Sequence, residues 1–321
     1  MLSHRTISLG VLALFVLLPL ALPSWALTDF AIYFTYAIFA ASLAFVWGHV
    51  GLLSLGHAVY FGLGAYAMSV VTLGMTPLPA WSLLGLASAM LMAGLAAFVL
   101  GAFFFGGKNL RGAFFGIVTL ALAFVFERLA INTSWLGGMN GLMSVPPIMV
   151  FGREVYDPLP LYFTMLGALA AVVAGFYLVM GSRFGLVLAG IRENELRAAS
   201  LGHDTRRLKV WAFALSGVVA GLAGALFVSQ FGFALPSLIG FNLSADVLIW
   251  VALGGRGNIL AAALGAIAVR FLESQLSGSL GAVWPMVAGI LFMLSVVLLP
   301  RGLFGEAFAR LTAGKPAGSG P

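Results

Sequence analysis

The chain contains no cysteine. That absence removes disulfides, thiol nucleophiles and thiolate metal sites in one step. Charge is almost as scarce: Asp, Glu, Lys and Arg make up 8% of the 321 residues, against about a quarter in an ordinary soluble domain. The four histidines (His4, His49, His57, His203) are scattered, without the spacing of a metal-ligand pair. No glycine loop with Lys-Ser or Lys-Thr occurs, and Gly106-Gly107-Lys108 lacks the spacing and the hydroxyl of a phosphate cradle. This chain is therefore not expected to hydrolyse a nucleotide itself. No clustered acid, base or metal constellation suggests a membrane-embedded enzyme. An ion-coupled carrier or channel would need more intramembrane charges than Glu127, Arg128, Asp246 and Arg270.

What the chain has instead is hydrophobic residues, 62% of the total. Several apolar runs are long enough to cross a bilayer core of about 30 Å. The expected fold is an all-α membrane protein, a polytopic helical bundle forming one transmembrane domain over 1–321. Spans are predicted near Ile7–Leu27, Phe30–Val50, Gly56–Gly74, Trp81–Phe105, Gly112–Asn132, Leu159–Met180 and Val210–Phe231. A cleaved signal peptide is the alternative for the first run, which ends near Pro23-Ser24-Trp25-Ala26. Beyond Phe231, Gly254-Gly255-Arg256-Gly257-Asn258 interrupts the hydrophobicity. The chain either continues there as one helix, Leu243–Phe271, or turns between two short spans, Ile239–Leu253 and Ile259–Leu272. A final span is expected over Ala282–Leu299.

Charge favours the turn. With the N-terminus inside, a split gives ten spans and places both ends in the cytoplasm. Arg5, Lys108, Arg111, the six basic residues of 181–209, Arg256, Arg301, Arg310 and Lys315 then all face the cytoplasm, and only Arg128, Arg153 and Arg270 do not. The unsplit helix would export Arg301, Arg310 and Lys315, against the positive-inside bias. The net charge of +6 is read the same way, with lipid rather than nucleic acid as the partner. Glycine-broken short spans survive in a membrane only when they are buried in protein or line a cavity.

One polar island, 181–209, stands out. It carries Arg183, Arg192, Arg197, Arg206, Arg207 and Lys209 together with Glu193, Glu195 and Asp204. The run Arg192–Ala199 favours a helix, and Gly202 stands where a helix C-cap would be. A short helix with Leu196, Ala198 and Ala199 on one side suits a groove in a soluble partner; a solvated connecting helix is the plainer reading. The segment 134–158 is expected outside, structured by Gly137-Gly138, Asn140-Gly141 and Pro146-Pro147. The tail, 312–321, is small, polar and expected to be flexible.

Candidate pathway residues are Ser54, His57, Thr119, Asn140 and Asp246. The plainer roles are as follows. His57 at a span edge can satisfy a carbonyl, and Gly62 and Gly64 can simply let helices approach. Asp246 shares a helical face with Trp250, and it can also cap a helix start after Asn242 and Ser244. Glu127 needs a partner, expected on another helix because its neighbour Arg128 points about 100° away; a role in the translocation path is the alternative.

Several blocks in order resemble the permease subunits of ABC importers for branched-chain amino acids and amides. They are Gly51-Leu52-Leu53-Ser54-Leu55-Gly56-His57, Arg111-Gly112 through Thr119-Leu120-Ala121, and Gly137-Gly138-Met139-Asn140-Gly141-Leu142. Ile191-Arg192-Glu193-Asn194-Glu195 with Ala198 to Gly202 follows, then Gly254-Gly255-Arg256-Gly257-Asn258. The resemblance covers nearly the whole chain. It implies an inner-membrane permease paired with a second, related permease, two cytoplasmic ATPase subunits and a periplasmic solute-binding protein. ATP is then used by the partner subunits, and no cofactor is bound by this chain. The ATPase-coupling residues it implies are Arg192, Glu193, Glu195, Ala198, Ala199 and Gly202. The island follows the family's Glu-Ala-Ala-x-x-x-Gly pattern only loosely, with the alanines displaced. The block ending at Gly257 is also similar to urea-type members, so amides stand beside branched-chain amino acids as the expected solute.

Overall fold

The computed structural model describes residues 4–106, 112–150, 153–280, 283, 286–287, 289–291, 293–294 and 301–312. The expected last span lies largely outside these residues. Lys108, Arg111 and the tail beyond Thr312, with Lys315, also lie outside them.

The helices bounded within the described chain begin with α1 (His4–Leu17), α2 (Ser24–Ala44), α3 (Ala58–Thr72), α4 (Ser82–Gly106), α5 (Ala113–Asn132) and α6 (Pro158–Gly181). They continue with α7 (Arg183–Glu193), α8 (Glu195–Ser200), α9 (Thr205–Phe231), α10 (Phe241–Gly254), α11 (Ile259–Leu280) and α12 (Leu303–Thr312). Among the described residues, seven helical segments are long and apolar enough to cross a membrane. Two shorter apolar helices, Ser8–Leu20 and Ala58–Thr72, accompany them. The turn at 255–258 separates α10 from α11, so the chain is split at the glycines.

Several boundaries differ from the expected ones, and α11 runs to Leu280 where a short span ending at Leu272 is expected. The apolar run carries the first span through Leu27, whereas α2 already begins at Ser24 behind Pro23. Proline lacks an amide hydrogen and has a fixed φ, so it suits the position just ahead of a helix and cannot continue the preceding one. Helix α9 begins at Thr205 rather than Val210, because the Asp204 side chain caps it by accepting from the Arg207 amide.

Helices α2 and α9 form the centre. The span containing α2 is 83% buried, whereas the α4 and α5 spans are each 28% buried. Helix α9 packs on α2, α3 and α4, and α2 packs on α6, α10 and α11. Small residues allow these close approaches. On α9, Gly217 and Gly221 meet Ala93 of α4, and Gly64 of α3 rests on the Gly221 backbone. Gly64 thus serves the packing role open to it in the sequence. In lipid, where burial of apolar surface drives little helix association, backbone proximity of this kind holds helices together.

At one end of the bundle lie the residues after α5. Two 3₁₀ turns, Ser134–Leu136 and Gly138–Asn140, lead into β1 (Leu142–Met143), which pairs antiparallel with β4 (Phe233–Ala234). Strands β2 (Met149–Val150) and β3 (Arg153–Glu154) form a second small ladder. At the other end lie the island helices α7 and α8, the 255–258 turn and α12.

Candidate functional site

After α2 the helix widens into a π-turn, Phe45–Val50, and stops at Gly51 in the left-handed region (φ 81°). Residues 51–57 then form an irregular strap before α3 begins. Backbone amides in such a strap need partners, because a buried unpaired N–H is costly. Two hydroxyls from other helices provide them. Thr119 Oγ1 of α5 accepts from the Leu55 amide at 3.0 Å, and Ser244 Oγ of α10 accepts from the Ala58 amide at 3.0 Å. A side chain at Gly56 would overlap the Thr119 carbonyl, so glycine lets α5 come this close.

His57 closes the strap and is fully buried. Its Nε2 lies 2.9 Å from Ser42 Oγ and 3.3 Å from Ser216 Oγ. Both hydroxyls already donate to carbonyls, Ser42 to Phe39 at 2.6 Å and Ser216 to Ser42 at 2.7 Å. Each hydroxyl has one proton, so Nε2 must carry the hydrogen and donate to both oxygens. Nδ1 then remains an acceptor without a partner among the described residues, as does the buried Ser54 hydroxyl. The ring stacks on Phe39, with centroids 5.6 Å apart.

Ser54 and His57 thus lie on the same strap, to which Thr119 is bonded at Leu55, and all three are buried. Asn140 lies apart, exposed in the second 3₁₀ turn, and Asp246 is exposed on α10. Asp246 does not cap its helix: Gly240 is the N-cap, and Asp246 stands in the second turn of α10. It is two residues from Ser244, about 200° around the helix. One side of α10 therefore fastens the strap while the other displays a carboxylate. Glu127 finds its partner on another element, as expected, but that partner is a helix start. Its carboxylate lies where a Gly240 side chain would be, against the positive end of the α10 dipole.

Near Asp246, charge gathers halfway along α11. Arg270 pairs with Glu273 at 2.5 Å and sits over the Tyr36 ring at 4.4 Å. Asp246 lies within electrostatic reach of both charged residues. The sequence singles out Asp246 and Trp250 but not Glu273 or Tyr36, whose roles depend on contacts between α2, α10 and α11.

The island is two helices rather than one. Asn194 interrupts the helix-forming run because its side chain caps α8, accepting from the Arg197 amide at 3.0 Å. Gly202 follows α8 in the left-handed region (φ 87°), in keeping with its expected capping place. Arg192, Glu193 and Ala199 are exposed, whereas Ala198 is buried. Glu195 turns inward: it pairs with Lys209 of α9 at 2.6 Å and accepts from Thr205 at 3.3 Å. Lys209 is only 2% exposed and lies over the Phe105 ring. Leu196 and Leu201 face out.

This buried pair fastens α8 to the bundle. Lys209→Met should destabilise the protein by about 3–5 kcal/mol, because it takes the buried countercharge from Glu195. Glu195→Gln/Lys209→Met should recover much of that loss, as measured by thermal unfolding in detergent. Additive losses in the double variant would show that the two residues are not coupled.

Among the described residues, no group of three or more His, Cys, Asp or Glu could hold a metal ion. A family described as "Branched-chain amino acid transport system / permease component" matches residues 27–296. The chain is similar to the high-affinity branched-chain amino acid transport system permease protein LivM of Escherichia coli K12, 32% identical over 84% of this chain and 67% of the relative. It is also similar to a probable LivM of Methanocaldococcus jannaschii, 26% identical over 84% of this chain and 90% of the relative. The autoinducer 2 import permease LsrC of Escherichia coli is 30% identical over 58% of this chain and 59% of the relative. No solved structure matches.

Proposed function

This chain belongs to the family of branched-chain amino acid transport permeases, and we propose that it moves a branched-chain or related amino acid inward through ten spans by alternating access. It is a multi-pass inner-membrane permease subunit of an ABC importer. The island faces the cytoplasm in this reading, where it meets an ATPase subunit of the pair beneath the two permeases, and 134–158 faces a periplasmic binding protein. A second, related permease covers the face that carries Asp246. ATP is hydrolysed on the partner subunits.

The pathway runs along that covered face. An amino acid is a zwitterion, and Asp246 and Arg270 offer opposite charges from adjoining helices. Asn140 stands at the outer mouth. Ser54, His57 and Thr119 act from behind, in the strap that α10 and α5 hold, so that movement of either helix is passed to the other. The relatives' branched-chain amino acid names favour amino acids over amides.

The coupling role rests on the fastened island, whose α8 is held by a buried ion pair while Leu196 and Leu201 point away. ATP closure would act on α8 and hence directly on α9 at the centre of the bundle. Purification of the tagged chain with its co-expressed partners should recover a second permease and two ATPases. Reconstituted with a binding protein, the complex should take up leucine only with ATP. Uptake by the isolated chain without ATP would replace this reading with an ion-coupled carrier or channel.

A further inference from the structure

A cavity of about 730 Å³ opens at the island end of the bundle. Three arginines from distant parts of the chain line it: Arg192 of α7, Arg256 of the turn and Arg301 just before α12. Among the described residues, no carboxylate lines it and no ion pair holds any of the three. Arg192 donates to the Gly48 carbonyl, and Arg256 lies over the Trp47 ring at 5.4 Å. Asn258 also lines the cavity, but its Oδ1 already accepts from the Leu260 and Ala261 amides at 2.9 and 3.2 Å. Its NH₂ group, a donor, is what remains.

The walls are built closely enough to fix this arrangement. Gly255 (φ 129°) and Gly302 (φ 75°) touch backbone to backbone, which seats α12 on the turn. A side chain at Gly48 would overlap the Arg256 carbonyl, which ties the π-turn to the same place. The three arginines are exposed to the cavity and give it a positive lining, and their planar guanidinium forks match phosphate oxygens.

We propose that this cavity binds a phosphate-type anion, held by Arg192, Arg256 and Arg301. Trp47 and Phe308 give its walls an apolar part, so the occupant is a phosphoryl group carrying an organic portion. The phosphoryl group belongs either to an anionic lipid headgroup or to a soluble phosphate compound. Bound there, it ties the island helix α7 to α12 and to the turn between α10 and α11. The site is separate from the solute pathway and does not depend on the solute's identity.

The test uses the full-length chain with its partner permease in nanodiscs, read by thermal unfolding. In phosphatidylcholine, inorganic pyrophosphate should raise the midpoint of the wild type by roughly 3 °C near saturation. Phosphatidylglycerol in place of phosphatidylcholine should do the same if a headgroup is the natural source, and pyrophosphate should then add little. Arg256→Gln/Arg301→Gln should abolish both shifts. If that variant does not fold, Arg256→Lys/Arg301→Lys should fold and keep a weaker shift, since it preserves charge but not the fork. The proposal is overturned if neither probe moves the wild type, or if both variants respond as the wild type does. It is also overturned if the substitutions release the ATPases while the wild type ignores both anions, which would assign the arginines to acidic side chains of that partner.

Discussion

Gly221→Leu should leave almost no folded permease. A Cβ at this position would stand 2.5 Å from the Ala93 Cβ and 2.7 Å from the Ala89 carbonyl, both on α4. On another side, Gly64 of α3 rests on the Gly221 backbone. Backbone groups cannot rotate away as a flexible side chain can, so the helices must separate. Overpacking a core usually costs about 1–3 kcal/mol, and the upper end or beyond applies where backbone is the obstacle. The loss would fall on α9, which packs on α2, α3 and α4 at the bundle's centre. Gly175→Leu on α6 is the control, because a side chain there meets nothing within 4 Å. Monodisperse yield and unfolding midpoint in mild detergent should fall sharply for the first variant and hardly at all for the second. Equal behaviour of the two would mean that α4 and α9 do not approach so closely.

Leu196→Asp/Leu201→Asp should abolish ATP-driven uptake while leaving the permease folded. The two side chains are 69% and 73% exposed, so their replacement by acids costs the isolated chain little. In a docked groove, the same acids would be buried without partners. Loss of a central apolar contact alone is worth about 2 kcal/mol or more, roughly a thirtyfold drop in affinity. Pull-down should therefore recover the second permease but few or no ATPases, with an unchanged unfolding midpoint. Retained ATPases and normal uptake would move the docking surface off α8. Charge reversal at Glu195 is a poorer test, because it would break the Lys209 pair and loosen α8 from within.

Much of the bundle was legible because a spanning helix must be apolar over its whole length. The limits predicted for α4, α5 and α6 lie within about one residue of those observed. The break at Gly254–Asn258 was legible from glycine and from the placement of arginines. The site was legible only in part. Ser54, His57 and Thr119 stood out, but Ser42, Ser216 and Ser244 did not, since a serine in an apolar helix most often bonds its own backbone. Their contacts join residues far apart in the chain, and no local pattern records that. The split of the island escaped for a related reason: helix propensity favours Arg192–Ala199 throughout, yet one Asn194 side chain offers α8 a better start. The inward turn of Glu195 depends on Lys209, further along the chain and on another helix.

Before assembly, the charges on α10 and α11 stand in a different light. Arg270 lies midway along α11 beside Glu273, and Asp246 is open to the surroundings on α10. In a newly inserted copy without its companion, Arg270 and Glu273 still offset one another, but the exposed Asp246 would face hydrocarbon, where a charge carries a penalty of about 3 kcal/mol on insertion scales. Such a copy advertises that it is alone. Cover by a second permease would remove that penalty, so the charges we propose for the pathway would also favour the paired permease over the single one.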